Sequence, residues 1–346
     1  MDIFQFIRPL LFTLEPERAH HLSLHALSLL PESGPLPVDP VLGVELAGLR
    51  FPSPVGLAAG YDKDCDGAHK LLRFGFGAVE IGTITPKPQP GNPKPRLFRL
   101  EEDWAVINRM GFNSGGQTPA VVERLRRARA KGGIIGVNIG ANKDSEDRIA
   151  DYIAGVKTMA PVASYLTMNI SSPNTPGLRK LQDGSALADL LVGAKAALPP
   201  NGPPLFLKVA PDLEPAEVDS IAKATMGQVD ALIVANTTIS RPQLHSRFAA
   251  EQGGLSGAPL RDLAQQRLRD FRKATGGVMP LIGAGGIATA EDAYARIRAG
   301  ACFVQLYSAM VYEGPWLAAR INKGLKTLLA RDGLKSIADA LGADAR

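Results

Sequence analysis

Two lysines, Lys63 and Lys208, and four asparagines, Asn138, Asn169, Asn174 and Asn236, stand at or just past the ends of short apolar runs. Groups of this kind are expensive to desolvate alone, so their convergence implies a polar ligand that supplies their partners. Thr83, Ser171-Ser172-Pro173, Thr237 and Tyr307-Ser308 occupy equivalent places. Gly283-Ala284-Gly285-Gly286, with Tyr307-Ser308 after the next run, has the makings of a phosphate cup, because glycine allows close backbone approach and leaves N–H donors free. Taken alone, that glycine string is as compatible with an ordinary turn.

Other chemistries lack their residues. The histidines, at 20, 21, 25, 69 and 245, lie mostly away from these run ends. Cys65 and Cys302 form no Cys-x-x-Cys or Cys/His group, so no zinc site, Ser/His/Asp triad or disulfide framework is expected, and a reducing compartment fits. The difficult step then falls to a cofactor. The net charge of +5 and pI near 9.2 permit attraction to phosphates, nucleic acid or an anionic membrane. The densest basic run, Arg124, Arg126, Arg127, Arg129 and Lys131, has helical spacing and few aromatics, which favours a solvated helix face over a nucleic-acid site. No apolar run reaches the roughly 18–20 residues that span a bilayer, and residues 1–8 lack the pattern of a secretion signal.

The elements that must position these groups alternate along the chain. Strands are predicted at 54–59, 78–84, 134–139, 165–170, 205–209, 231–235, 281–284 and 303–307, with helical segments following them, including 117–131, 186–197, 215–224, 259–275, 290–299 and 316–329. Buried runs alternating with amphipathic helices indicate a parallel sheet, and eight of them favour a closed barrel over an open doubly wound sheet. In a barrel, every polar strand end named above opens at one mouth. Residues 41–51 read as a hairpin that plugs the other end, and 97–107 as a hairpin inserted after the second strand.

Residues 1–38 differ, with helical stripes and no strand pattern. Ile3, Phe6, Ile7, Leu10, Leu11 and Leu14 share a face that Pro9 should kink; Pro16 suits a helix start, and Ala19, Leu22, Ala26, Leu29 and Leu30 form a second stripe. Asp2, Glu15, Glu17 and Glu32 outnumber Arg8 and Arg18, so membrane contact here would rest on apolar insertion.

The strings Ala58-Ala59-Gly60-Tyr61-Asp62-Lys63-Asp64, Glu80-Ile81-Gly82-Thr83, Asn108-Arg109-Met110-Gly111-Phe112-Asn113, Asn169-Ile170-Ser171-Ser172-Pro173-Asn174-Thr175, Asn236-Thr237-Thr238, Gly253-Gly254-Leu255-Ser256-Gly257 and Gln305-Leu306-Tyr307-Ser308 resemble, in order, the dihydroorotate dehydrogenase family. The resemblance covers nearly the whole chain. It implies an α/β protein, a (β/α)8 TIM barrel over 39–346 with an N-terminal helical extension over 1–38. The implied activity is oxidation of dihydroorotate to orotate in pyrimidine synthesis, with FMN as cofactor. Ser172, where the cytosolic branch carries Cys, and the extension together resemble the quinone-dependent class. That class implies a peripheral protein on the cytoplasmic face of the cell membrane, with no nucleic acid and no obligatory partner subunit.

By resemblance Ser172 is the catalytic base, with a proton path through Thr175 beside Phe112; a plain turn cap before Pro173 is the competing reading. Substrate would be held by Lys63, Asn108, Arg109, Met110, Gly111, Phe112, Asn169, Asn174, Asn236 and Thr237. The flavin would be held by Ala59, Gly60, Tyr61, Asp62, Lys63, Thr83, Asn138, Asn169, Lys208, Ala235, Gly257, Gly286, Tyr307 and Ser308. Ala235 stands where relatives often carry a hydroxyl, which puts a side-chain bond there in doubt, and Tyr61 replaces a commoner aliphatic residue or Phe. Ile3, Phe6, Ile7, Leu10 and Leu22 are the expected lining of a quinone tunnel. Three other readings are the cytosolic branch, using fumarate or NAD; flavin barrels that reduce uridine in transfer RNA, which carry a catalytic Cys and an RNA-binding domain that are not evident here; and a decayed barrel serving as a peripheral membrane scaffold, disfavoured because all the site strings look intact.

Overall fold

The computed structural model describes residues 3–31 and 34–345. Its centre is a closed barrel of eight parallel strands: β1 (Val55–Leu57), β2 (Ala78–Ile84), β3 (Ile135–Ile139), β4 (Tyr165–Asn169), β5 (Leu205–Val209), β6 (Ala231–Val234), β7 (Leu281–Ala284) and β8 (Ala301–Leu306). Each pairs with its neighbours in sequence, and β8 closes on β1 through Val304–Val55 and Leu306–Leu57. The strands are almost wholly buried, as expected where helices cover one face and barrel contents the other, which is why they read as continuous apolar runs rather than alternating ones. All eight match the strands predicted from sequence.

The outer helices begin where their caps place them. Pro215 opens the helix Pro215–Thr225 behind a Glu214/Glu217 capping box, and Thr289 with Asp292 starts Ala290–Arg298 in the same way. A helix that the sequence reading did not bound, Arg148–Met159, lies between β3 and β4. Its interior Gly155 weakens the local signal, but Tyr152, Val156 and Met159 turn inward and Asp147 caps it. On Pro119–Ala130, Arg126 and Arg127 pair with Glu123 in solvent, as the solvated-face reading predicts.

The hairpin Val44–Leu46/Leu49–Phe51 forms as predicted and sets the Phe51 ring 4.6 Å from that of Phe303 on β8. The insertion after β2 pairs Leu97–Leu100 with Ala105–Asn108, but a third strand, Gly254–Gly257, joins it. That strand was missed because Gly-Leu-Ser-Gly has no strand propensity; Leu255 docks it against Phe98, Leu100 and Ile107.

Helices α1 (Ile3–Phe12) and α2 (Pro16–Ser28) lie across the mouth. Pro9 sits inside α1 without ending it. The ties to the barrel run largely from cations to main-chain carbonyls: Arg99 donates to the Phe12 and Leu14 carbonyls (2.8 and 2.5 Å), Lys70 to Ser28 O (2.6 Å), Arg73 to Pro31 O (3.0 Å), and Arg8 of α1 to Tyr312 O (3.1 Å). Among the described residues no helix is long and apolar enough to cross a membrane. Because Phe51 is fully buried against Phe303, Phe51→Ala should destabilise the fold by about 3–5 kcal/mol. Urea unfolding with an unchanged midpoint would show the hairpin to be dispensable.

Candidate active site

A cavity of about 1280 Å³ opens at the carboxyl ends of the strands, roofed by the inserted sheet and by α1 and α2. Its floor starts from Glu80, fully buried in the middle of β2. The Glu80 carboxylate accepts from Asn138 Nδ2 (2.8 Å), Thr167 Oγ1 (3.1 Å) and Gln305 Nε2 (2.8 Å). Above it, Thr83 Oγ1 donates to Asn138 Oδ1 (2.5 Å) and accepts from Asn169 Nδ2 (3.1 Å). Asn169 Oδ1 in turn accepts from Asn236 Nδ2 (3.2 Å) and Ser171 Oγ (3.2 Å).

Lys208, near the end of β5, is buried at the cavity wall with no hydrogen-bond or ion-pair partner among the described residues. Burial lowers its pKa, and the nearby Glu80 charge offsets part of that shift. Lys63 also faces the cavity; burial brings it down to about 8, with Arg96 pushing the same way and Asp64 and Glu17 opposing.

The turn after β4 carries Ser172, which is 7% exposed and accepts from the Asn174 N–H (3.3 Å). The Asn174 side chain donates to Asn108 Oδ1 (3.2 Å), so the turn and the inserted sheet meet over the cavity. Arg179 braces the same turn, donating to Ser171 O (2.9 Å), Thr237 O (3.1 Å) and Asp212 (2.9 Å).

Most predicted residues come together here. Ala59, Gly60, Tyr61, Lys63, Thr83, Asn108, Met110, Gly111, Phe112, Asn169, Ser172, Asn174, Lys208, Ala235, Asn236, Thr237, Gly257, Gly286, Tyr307 and Ser308 all line the cavity. Three do not. Asn138 stands behind Thr83, and Arg109 turns away to Glu251 (2.7 Å) and the Phe98 ring (4.6 Å). Asp62 is buried beneath its own turn, accepting from the Asp66 and Gly67 N–H groups (2.8 and 2.9 Å); burial pushes its carboxyl up to about 6. The apolar end also differs from expectation. Ile7 and Leu22 line it, with Phe4, Leu11 and Phe12, whereas Phe6 and Leu10 point outward, 69% and 72% exposed. The Ile3 side chain lies outside the described residues.

Sequence reasoning gave no role to Glu80, Gln305, Ser256 or Asn92. Ser256 accepts from Ser308 Oγ (2.7 Å), and Asn92 donates to the Arg109 and Asn174 carbonyls (3.0 and 3.2 Å). The available signal was a carboxylate and an amide each inside an otherwise apolar strand. Among the described residues no cluster of His, Cys, Asp and Glu could hold a metal ion.

Fold and site together define a (β/α)8-barrel enzyme whose ligands enter at the carboxyl ends of the strands. A model of the dihydroorotate dehydrogenase family matches residues 41–329, and the chain belongs to that flavin-dependent family. It is 61% identical to the dihydroorotate dehydrogenase (quinone) of Erythrobacter litoralis, over 99% of this chain and all of that protein. It is 58% identical to the protein of the same name from Novosphingobium aromaticivorans, over 99% of this chain and all of that protein. A crystal structure of DHODH from Eimeria tenella in complex with ferulenol has 42% identity and a TM-score of 0.91, over 96% of both chains.

Gly286 lines the cavity with φ of +71°, and a Cβ there would lie 2.3 Å from the Arg261 Cα. Gly286→Ala should therefore raise the flavin dissociation constant about tenfold or more, a loss of some 1.4 kcal/mol in binding, read by titrating the apoprotein. An unchanged constant would show that this turn does not shape the cofactor site.

Proposed function

We propose that this protein oxidises dihydroorotate to orotate in the de novo synthesis of pyrimidine nucleotides, with FMN as the resident flavin and a membrane quinone as the final acceptor. The observation that carries the reading is one cavity with two kinds of lining: Ser172, Lys63 and the asparagines, and the apolar faces of α1 and α2. A polar substrate and a lipid-borne acceptor can thus be served by a single centre.

The residues present fit FMN. Lys208 is a buried cation aimed into the cavity without a partner, and the Gly285-Gly286 turn, with positive φ at both residues, offers backbone rather than side chains to a phosphate. Ser308 and Thr83 add hydroxyls to the same cavity. The bound flavin supplies an acceptor for the hydride leaving C6 of the substrate and a relay of its electrons to the quinone.

The remaining chemistry belongs to the chain. Ser172 Oγ takes the proton from C5; burial and exclusion of water are what make a hydroxyl serviceable as a base. Thr175, whose buried Oγ1 has no partner among the described residues, is available to pass the proton outward. Asn108, Asn174 and Asn236 present both donors and acceptors to ring amides and carbonyls, and Lys63 meets the substrate carboxylate. Lys208 would set a fixed positive charge beside the bound flavin, an effect strengthened by its dry setting.

On the outer side, exposed Phe6 and Leu10 of α1, Leu14 between the helices and Leu29 after α2 give the segment an apolar surface for insertion into one leaflet. This supports residues 1–38 as a quinone-access segment on a barrel of residues 39–346, held peripherally at the cytoplasmic face of the membrane. Glu17 is buried, so it does not oppose an anionic surface as its place in the sequence implied.

The test is anaerobic spectroscopy of the purified holoenzyme. Dihydroorotate should bleach the flavin band, and a quinone, but not fumarate or NAD, should restore it; Ser172→Ala should slow bleaching by about 10²–10⁴-fold. A flavin that dihydroorotate leaves yellow would overturn the reading. The pH profile gives a second check. Lys63 has a depressed pKa, so its charge is present below about 8 and lost above it. Capture of the anionic substrate, read as kcat/KM, should fall as pH rises through that value. A profile flat to pH 9.5 would remove Lys63 from substrate binding.

A further inference from the structure

Helix α2 buries one charge against the barrel. Its buried residues are Glu17 and Leu27, and Glu17 is 2% exposed. The Glu17 carboxylate accepts from Arg96 Nη2 (2.7 Å) and Nε (3.2 Å), with Lys94 Nζ at 3.4 Å and His21 Nε2 at 3.9 Å. Arg96 is itself buried, and its remaining nitrogen, Nη1, donates to the Pro90 and Asn92 carbonyls (2.6 and 2.9 Å). A bidentate pair sets the angle of a guanidinium as well as its place, so Glu17 fixes where the 90–96 loop can lie.

That loop reaches the substrate side. Asn92 Nδ2 donates to Arg109 O and Asn174 O (3.0 and 3.2 Å), and a Cβ on Gly111 would come within 2.7 Å of the Asn92 side chain. Asn174 then touches Asn108 through its amide and Ser172 through its N–H. Hydrogen bonds therefore run without a gap from α2 to the hydroxyl read above as the base, passing through the residues that face the substrate ring.

We propose that Glu17 is a positioning residue for the dihydroorotate pocket, acting through Arg96 and Asn92, so that the helical segment serving the quinone also sets the geometry in which substrate and product bind. This rests on the reading of the site given above. It assigns to α2 a role in substrate binding beside the one in quinone access. An apolar docking residue would hold the helix equally well; only a polar one can orient the loop beyond it.

The experiment is a double-mutant cycle on the full-length FMN-loaded protein, reading the dissociation constant of orotate from its perturbation of the flavin spectrum. Glu17→Gln and Asn92→Leu should each weaken orotate about tenfold, and the double variant should do little worse than the weaker single, since both cut one chain of contacts. Glu17→Gln leaves Arg96 buried without its counter-charge; if it does not accumulate, Glu17→Gln with Arg96→Met removes both charges and should show the same weakening. Wild-type affinity in either Glu17 variant, or losses that multiply in the Glu17/Asn92 double, would overturn the coupling. If dihydroorotate does not bleach, and orotate does not perturb, the wild-type flavin, the substrate reading fails and this inference falls with it. A responsive wild type with an equally responsive Glu17→Gln sinks the coupling alone.

Discussion

A carboxylate at the centre of a closed barrel is tolerated only if its surroundings satisfy it, since an unpartnered buried charge costs several kcal/mol. Glu80 is in that position, and its demand sets the polarity of the floor above it. A carboxylate offers only acceptors, so Asn138 must present its NH2 to Glu80 and its carbonyl oxygen upward. Thr83 then donates to that oxygen and is left to accept from Asn169, whose own carbonyl oxygen is thereby free for Asn236 and Ser171. Side-chain amides that could each face two ways are locked one way. The pattern of donors and acceptors shown to ligands thus descends from one residue that touches none of them.

The same carboxylate makes Lys208 tolerable. An ammonium among β-strands with no hydrogen-bond partner would tend to lose its proton; the Glu80 charge works against that loss without consuming a single Lys208 donor. The cation stays free for whatever occupies the cavity, an arrangement in which ground-state discomfort is held ready for a negatively charged partner.

How much of this was legible depended on whether a residue's type announced its surroundings. The strands were legible because they are buried on both faces, and the mouth residues because Lys, Asn and Gly at strand ends have few other uses. Glu80 and Gln305 were not, since one polar residue within an apolar strand reads as noise until its neighbours in space are known. Gly254–Gly257 became a strand only because the inserted hairpin offered an edge. On α1, apolar residues occupy more than one face, so periodicity could not tell Phe4 and Leu11, which line the cavity, from Phe6 and Leu10, which leave it. Asp62 carries a motif position yet spends both its oxygens on the Asp66 and Gly67 N–H groups of its own turn.

The manner in which the barrel grips its helical segment bears on how such a sequence can change. Arg99, Lys70 and Arg73 hold that segment by main-chain carbonyls, which every residue possesses. Nearly any side chain at Leu14, Ser28 or Pro31 would leave those grips intact, so much of the outer face of the segment is free to vary; at Phe12 the ring itself lies under Arg99, 4.6 Å away. Glu17 differs, because its contact with Arg96 joins two buried, charged side chains. Descendants of this chain can rewrite most of the segment's surface while inheriting that one acid together with the arginine it meets.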